Sequence, residues 1–295
     1  GAVLWSEVRA GERCGAGADC LVPAGETWVL DADMTVRTLT IEGELRWATE
    51  MDGLRLTAGY VLVLAGGKLQ VGSDAAPMER RATVHVTAGA SHPVLGERFL
   101  GGLAANGLSP TIELHGRKLQ RTWSLLASNA HAGASSVQLQ HAPAAMGWRV
   151  GDRLGIASTT WQAPSSTHTI TSLDEASMRV TIEPPLAHAA AGGTQLVAGH
   201  SVPIAAEVVN LARSVLITGD DFEGHVGLHT IMAGGVMRAQ YTRVERCGQR
   251  MRAGRYCLHF HYVGHCPECL FRGNAVEDSH QGGITIHGSH DPRQC

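Results

Sequence analysis

Four strand-like runs recur at a nearly constant interval in the C-terminal third of the chain, and few architectures accept such spacing. SVLITG from Ser214, VMRAQYTRV from Val236, LHFHYV from Leu258 and GITIHG from Gly283 are strand-like, and each is followed by Gly or a polar turn. Their centres lie about 20–26 residues apart, the interval expected of solenoid coils. Successive side chains of a strand point to opposite faces. Leu258, Phe260 and Tyr262 then share one face, opposite His259, His261 and Val263. Ile284 and Ile286 oppose Thr285 and His287, and Met237, Ala239 and Tyr241 oppose Arg238, Gln240 and Thr242. With the apolar parity inward, Arg238, Gln240, Thr242, His259, His261, Thr285 and His287 are expected to form one polar stripe on an outer face. Coils about 4.8 Å apart make His261 and His287 neighbours.

The rest of the chain reads as β as well. Val36, Leu39, Ile41 and Leu45 alternate between turn residues, Leu54 to Leu64 hold one parity, and Gly66-Gly67 turns the chain before Leu69 and Val71. Such short period-two runs with Gly punctuation are the signature of strands and hairpins. SSVQLQ, WRVGDRLGIAST, HTITSLD and MRVTIEPPL continue it, the last ended by Pro184-Pro185, since Pro removes a ladder donor. No amphipathic helix beyond about three turns is expected. Charged residues at 17%, aromatics at 5% and 36 glycines disfavour a helical bundle and suit a turn-rich β protein. A net charge of −3 offers no basic groove for nucleic acid. An apolar share of 44% excludes a disordered chain. No apolar stretch reaches the roughly 18–20 residues of a membrane helix.

Nine of the 16 histidines fall in residues 200–295, so the stripe is more than compositional noise. A His-X-His on one strand holds two Cα atoms about 7 Å apart on one face. That suits two ligands of one metal or an acid/base pair on one substrate. His259 and His261 are the candidate ligands of a divalent metal, with His287 beside them. Solvated surface histidines are the alternative. Acids are available in the turns at Asp220, Asp221, Glu223, Glu245, Glu277, Asp278 and Asp291, but the sequence does not say which converge. A glycosidase generally needs two carboxylates roughly 5–10 Å apart.

Cys14 and Cys20 flank a Gly/Ala-rich loop and suit a local disulfide, among seven cysteines in all. Cys266-Pro267-Glu268-Cys269 has zinc-like spacing, yet no second CxxC completes a set, which favours a bridged or buried pair. The pairing of Cys247, Cys257, Cys266, Cys269 and Cys295 stays open. The chain begins at Gly1 and ends at Cys295 without a terminating pattern. It reads as a piece of something longer, with any membrane anchor outside it and Cys295 parted from its partner.

LVPAGETWVLDADMTVRTLTIEGELRW, GYVLVLAGGKLQVGS and TIELHGRKLQRTWSLL resemble a G8 domain, and GRYCLHFHYVGH and GGITIHGSHD resemble the paired coils of the β-helix that follows it in the G8 domain-containing family. A Tyr-Pro-Ile-His core of that family stands here as Tyr256-Cys257-Leu258-His259. The resemblance implies an all-β chain with a G8 domain over 1–125, a β-rich connecting segment over 126–200 and the start of a right-handed parallel β-helix over 201–295. It implies an extracellular or cell-surface setting. Its hyaluronan-binding branch implies an anionic polysaccharide partner, bound and in some members depolymerised; its fibrocystin branch implies a structural or adhesive ectodomain without catalysis. His259, His261 and His287 fall on the matching motif positions and carry any catalytic role. Six arginines between 238 and 255 could pair with uronate carboxylates, which Arg grips bidentately. Arg238, Gln240, Arg252 and Arg255 are the expected sugar-binding residues.

Overall fold

Alternation along each strand decides what fills the interior. In Asp19–Val22, Cys20 and Val22 are buried and their neighbours exposed; the same parity runs through Thr27–Leu30, Glu44–Trp47 and Lys68–Val71. The computed structural model describes residues 1–10, 14–220, 223–290 and 293–294. Asp221, Asp291 and Cys295, named above, lie outside the described residues, as does the side chain of Glu223. Among the described residues the only α-helix is Trp5–Ala10.

The chain separates into two units. One comprises residues 1–117 together with 213–295, the other residues 118–212. In the first, three sheets are built by parallel pairing alone. Sheet A holds eight strands in the order Val3–Leu4, Thr27–Leu30, Glu44–Trp47, Lys68–Val71, Thr111–His115, Val236–Gln240, Leu270–Arg272 and Arg293–Gln294. Sheet B runs Asp19–Val22, Thr38–Ile41, Val61–Leu64, Phe99–Leu103, His229–Ala233, Leu258–His265 and Ile284–His290. Sheet C runs from Met34–Thr35 through Leu54–Ala58, Ala82–Val86, Val215–Gly219 and Thr242–Cys247 to Ala275–Ser279. From Asp19 onward the chain visits B, A and C in unchanging order, so each circuit is one coil of a parallel β-helix. The G8-like segment and the C-terminal coils share these sheets. Residues 118–212 leave after the sheet A strand of the fourth coil and return at its sheet C strand. The unit limits at 117/118 and 212/213 thus differ from the sequence-based lines at 125/126 and 200/201.

In-register ladders fill the solenoid core. On sheet B, Val22, Ile41, Val63, Gly102, Met232, Phe260 and Ile286 follow one another from coil to coil. Burial of each large member contributes about 1.5–3 kcal/mol. Gly102 leaves room for its neighbour: a Cβ there would lie 2.7 Å from the Met232 sulfur, so that side chain would have to shift. Residues 118–212 form a six-stranded antiparallel sheet, ordered Trp123–Leu125, Glu207–Asn210, Arg153–Ile156, Ser166–Asp174, Arg179–Glu183 and Ser136–Gln138. A hairpin of Thr194–Val197 and His200–Pro203 accompanies it. Asp152 and Asn210, both buried, are joined at 2.8 Å inside that unit.

Two sequence expectations need correction. VMRAQYTRV is two strands in two sheets. Tyr241 takes a left-handed φ of 50° and turns the chain from sheet A to sheet C. The coil before Leu258–His265 on sheet B is His229–Ala233, so Arg238, Gln240 and Thr242 do not stack beside the histidines. Tyr262 also leaves its expected inward parity. With φ 49° it interrupts the register between His261 and Gly264, and its side chain is 64% exposed.

Candidate metal centre

His259, His261 and His287 converge. His259 and His261 alternate outward from Leu258–His265, and the parallel register sets His261 beside His287 and His259 beside Thr285. The rings of His259 and His261 lie 5.0 Å apart, those of His261 and His287 5.4 Å, and the two Nδ1 atoms of the latter pair 3.4 Å. One ring nitrogen from each of the three falls within 4.8 Å of the others.

The three differ in what surrounds them. His259 is fully buried, His261 half-buried and His287 exposed. The Nδ1–H of His259 donates to the Gly254 carbonyl at 3.2 Å, while its buried Nε2 has no partner. A carbonyl on one nitrogen fixes the tautomer and leaves the other lone pair for a ligand, as in histidines that bind metal. Burial first, then the neighbouring His261 and His287 and the Arg255 guanidinium, pushes His259 down to about 4. Burial, His287 and Arg255 likewise lower His261. Neutral imidazoles at physiological pH are the form that ligates.

Two tyrosines frame the group. Tyr256 meets His259 edge-on at 4.8 Å. The displaced Tyr262 ring covers His261 and His287 at 4.7 and 4.6 Å. Gly288, at φ 60°, permits this: a Cβ there would sit 2.4 Å from the Tyr262 ring.

Among the described residues no carboxylate joins this group. Asp220 accepts from Ala88 N–H at 3.0 Å and meets His85 at 2.9 Å on sheet C. Glu245 and Glu277 both pair with Arg243 there, at 2.5 and 2.6 Å, and Asp278 is exposed on the same sheet. The expected sugar-binding residues divide too. Arg255 is close enough for its charge to lower both His259 and His261. Arg252 pairs with Glu97 at 2.7 Å. Arg238 and Gln240 face outward from sheet A, Arg238 paired with Glu113 at 2.5 Å. The sequence did not single out Tyr256 and Tyr262 as site residues, nor Glu113 and His115 beside Arg238 and Gln240; alternation in TIELH marks the last two as outward polar groups.

The cysteines form three disulfides, Cys14–Cys20, Cys247–Cys257 and Cys266–Cys269. The CxxC is therefore a bridged corner between Leu258–His265 and Leu270–Arg272, not a zinc set.

Comparison with known proteins agrees with this architecture. The G8 domain family matches residues 6–127 and the CEMIP beta-helix family matches residues 224–293. Fibrocystin-L of Mus musculus is 29% identical across 93% of the chain, which spans 7% of that protein's length. Fibrocystin of Canis lupus familiaris is 24% identical across 70% of the chain and 5% of its own length. Protein rliB of Dictyostelium discoideum is 23% identical across 88% of the chain and 20% of its own length. The two matched domains and the fibrocystin relatives point to an extracellular ectodomain, and three disulfides suit an oxidising compartment. No described helix is long and apolar enough to cross a membrane. The chain is thus similar to the G8 domain family over its first strands and to the CEMIP beta-helix family over its last coils, and both matched segments lie on the same three sheets.

Proposed function

We propose that this ectodomain segment holds a divalent metal at His259, His261 and His287 and binds an anionic, hyaluronan-like polysaccharide there. The observation that carries the reading is the buried, unpartnered Nε2 of His259, on a ring grouped with two further imidazoles and with its Nδ1 already committed to Gly254. Three imidazoles are a donor set for zinc and leave a coordination position open. A metal bound there supplies a Lewis acid for a sugar carboxylate or hydroxyl. Arg255 adds positive charge on the same side, and Tyr262, mostly exposed, offers a ring against which a sugar can lie. Binding is the form of the proposal that the geometry supports. Two-carboxylate glycosidase chemistry needs a pair of acids across the bond, and no described acid joins the histidines.

The test is calorimetric titration of the whole chain with zinc, then capture on immobilised hyaluronan with and without chelator. Stoichiometric zinc binding, lost in His261→Ala and His287→Ala, together with chelator-sensitive capture is expected. Capture unaffected by chelator and by both substitutions would remove the histidines from the site. Zinc binding without capture would favour an adhesive ectodomain whose metal is structural. Shortening of the polymer, abolished by the same substitutions, would extend the reading to depolymerisation.

A further inference from the structure

The outer face of sheet A carries a second polar site, away from the histidines on sheet B. A cleft of about 680 Å³ opens over the strands Lys68–Val71, Thr111–His115, Val236–Gln240 and Leu270–Arg272, within the size range of small-molecule sites. Its floor is built from groups that sequence spacing alone keeps far apart. Register sets Glu113 beside Arg238, and His115 beside Gln240 and then Arg272. Glu113, His115 and Gln240 are all nine-tenths or more buried.

These groups are wired in one direction. The Gln240 amide nitrogen donates to Asp74 Oδ1 and to His115 Nδ1, both at 3.2 Å, and its oxygen accepts from Arg272 at 3.4 Å. That arrangement fixes the amide, since a flip would set oxygen against the Asp74 carboxylate. With Nδ1 accepting, His115 Nε2–H donates to Glu113 at 2.5 Å. Both ring nitrogens are then committed, so His115 braces the floor and is not poised as a base. Glu113 in turn accepts from Arg238, whose Nε–H also donates to the Glu268 carbonyl at 3.0 Å.

What remains unsatisfied defines the ligand. Arg238 has carboxylates on both sides, at Glu113 and Glu268, and Lys68 lies 3.6 Å from Glu44. Arg272 has no carboxylate partner among the described residues, only the long bond to Gln240. Asp74, exposed on its loop, lies at the other end of the same amide. A cation for one carboxylate therefore stands a side-chain amide away from an acceptor for hydroxyl groups. No Phe, Tyr or Trp lines the cleft, the His115 ring is buried in its floor, and its apolar lining is limited to Ala75, Pro267 and Leu270. A nucleobase, which needs a stacking partner, has nothing to rest on. Asp74, Glu113 and Glu268 oppose the double charge of a phosphate.

We propose that this cleft is a binding site for a small polyhydroxylated carboxylate, an acidic sugar unit, with its carboxylate on Arg272 and hydroxyls on Asp74. The site does not rest on the histidine reading, and either can fail alone.

The probes are glucuronate and galacturonate, followed by chemical-shift or calorimetric titration of the whole chain in chelator. Glucose, glucose 6-phosphate and glutamate run beside them. Both uronates are expected to bind and glucose to bind at least about tenfold more weakly, the usual cost of losing a charge-assisted bond. Arg272→Gln should abolish the preference for uronate over glucose. Asp74→Asn, in an exposed loop and harmless to folding, should weaken every sugar. His261→Ala should bind as the unmodified chain does. Uronate binding that survives both cleft substitutions, or that disappears in His261→Ala, overturns the proposal. So does equal or tighter binding of glucose, the phosphate or glutamate, and so does the absence of uronate binding at tens of millimolar.

Discussion

Acid is expected to loosen the solenoid well before any carboxylate titrates, because two buried histidines are folded in their neutral form. His229 is fully buried; burial first, then Arg255, pushes it down to about 3. His259 is pushed to about 4. Both start from an ordinary value of 6.5. For a group whose folded value is depressed, the unfolded chain binds the extra proton, so stability is complete above pH 6.5 and is lost as pH falls. At pH 5.5 each histidine costs about 1.4 kcal/mol, from about 1.36 kcal/mol per pKa unit. Together they remove about 3 kcal/mol between pH 8 and pH 5.5. His85, His92 and His280 are also lowered, chiefly by burial, and act in the same direction. Glu113, Asp19 and Asp174 are held low as well, but from ordinary values of 3.8 to 4.5, so their share is lost only in stronger acid. The assay is urea unfolding followed by far-UV circular dichroism at the two pH values, in chelator so that no metal stabilises the neutral imidazoles. His229→Gln keeps a donor for the Leu95 carbonyl, which His229 now reaches at 3.2 Å, and should remove about half of the effect. Equal stability at pH 8 and 5.5, or an undiminished slope in His229→Gln, would refute the reasoning.

Three shorter expectations follow from packing. Phe260→Ala removes one member of a stacked pair, its ring 3.9 Å from that of Phe271, and should cost about 3–5 kcal/mol in the same urea assay. Gly116→Ala would set a Cβ 2.1 Å from the Tyr241 carbonyl oxygen, forcing the corner between sheets A and C to move and costing about 1–3 kcal/mol. Replacing Cys266 and Cys269 together by Ser frees the loop that brings the Glu268 carbonyl to Arg238; uronate affinity should fall in titration while the circular dichroism spectrum is kept.

Alternation is a local property, so the faces of the strands were legible. Leu258 and Phe260 are buried in the core, and His259, His261 and His287 meet outside it. Partner choice is not local. The strands of residues 20–72 look like hairpins, yet each pairs in parallel with a strand one coil away, such as Leu39 with Val61. In the first half the coil interval is masked by a hairpin at Ser91–His92 and Gly96–Glu97 and by the whole of residues 118–212. Corners were the other gap. Tyr241 and Tyr262 adopt left-handed backbone without being Gly or Asn, and such positions carry no mark in the sequence. One unseen corner moved Arg238 and Gln240 to another sheet; the other brought Tyr262 over the histidines.

The manner in which residues 118–212 enter the solenoid leads to a final expectation. Both ends of the gap are tied into the fourth coil. Arg117 N–H donates to Ser214 Oγ at 2.7 Å, Ser214 Oγ–H donates to the Met78 carbonyl, and Ala82 N–H donates to the Ser214 carbonyl at 2.9 Å. Gly116 N–H donates to the Gln240 carbonyl at 2.9 Å. A few residues therefore suffice to join Arg117 to Arg213 without moving either flanking strand. Each coil of a solenoid is stabilised by its neighbours, and the strand pairs Thr111–His115 with Val236–Gln240 and Ala82–Val86 with Val215–Gly219 lie wholly within residues that remain. A variant with residues 118–212 replaced by a short Gly/Ser link should be secreted with all three disulfides, keep a β-type spectrum and lie within about 1 kcal/mol of the whole chain in the solenoid transition. It should also retain zinc binding and uronate binding, because every residue of both sites comes from the coils. An aggregated or non-cooperatively unfolding product would mean that the connecting unit is needed to hold the fourth coil closed, although its neighbours pair directly across it.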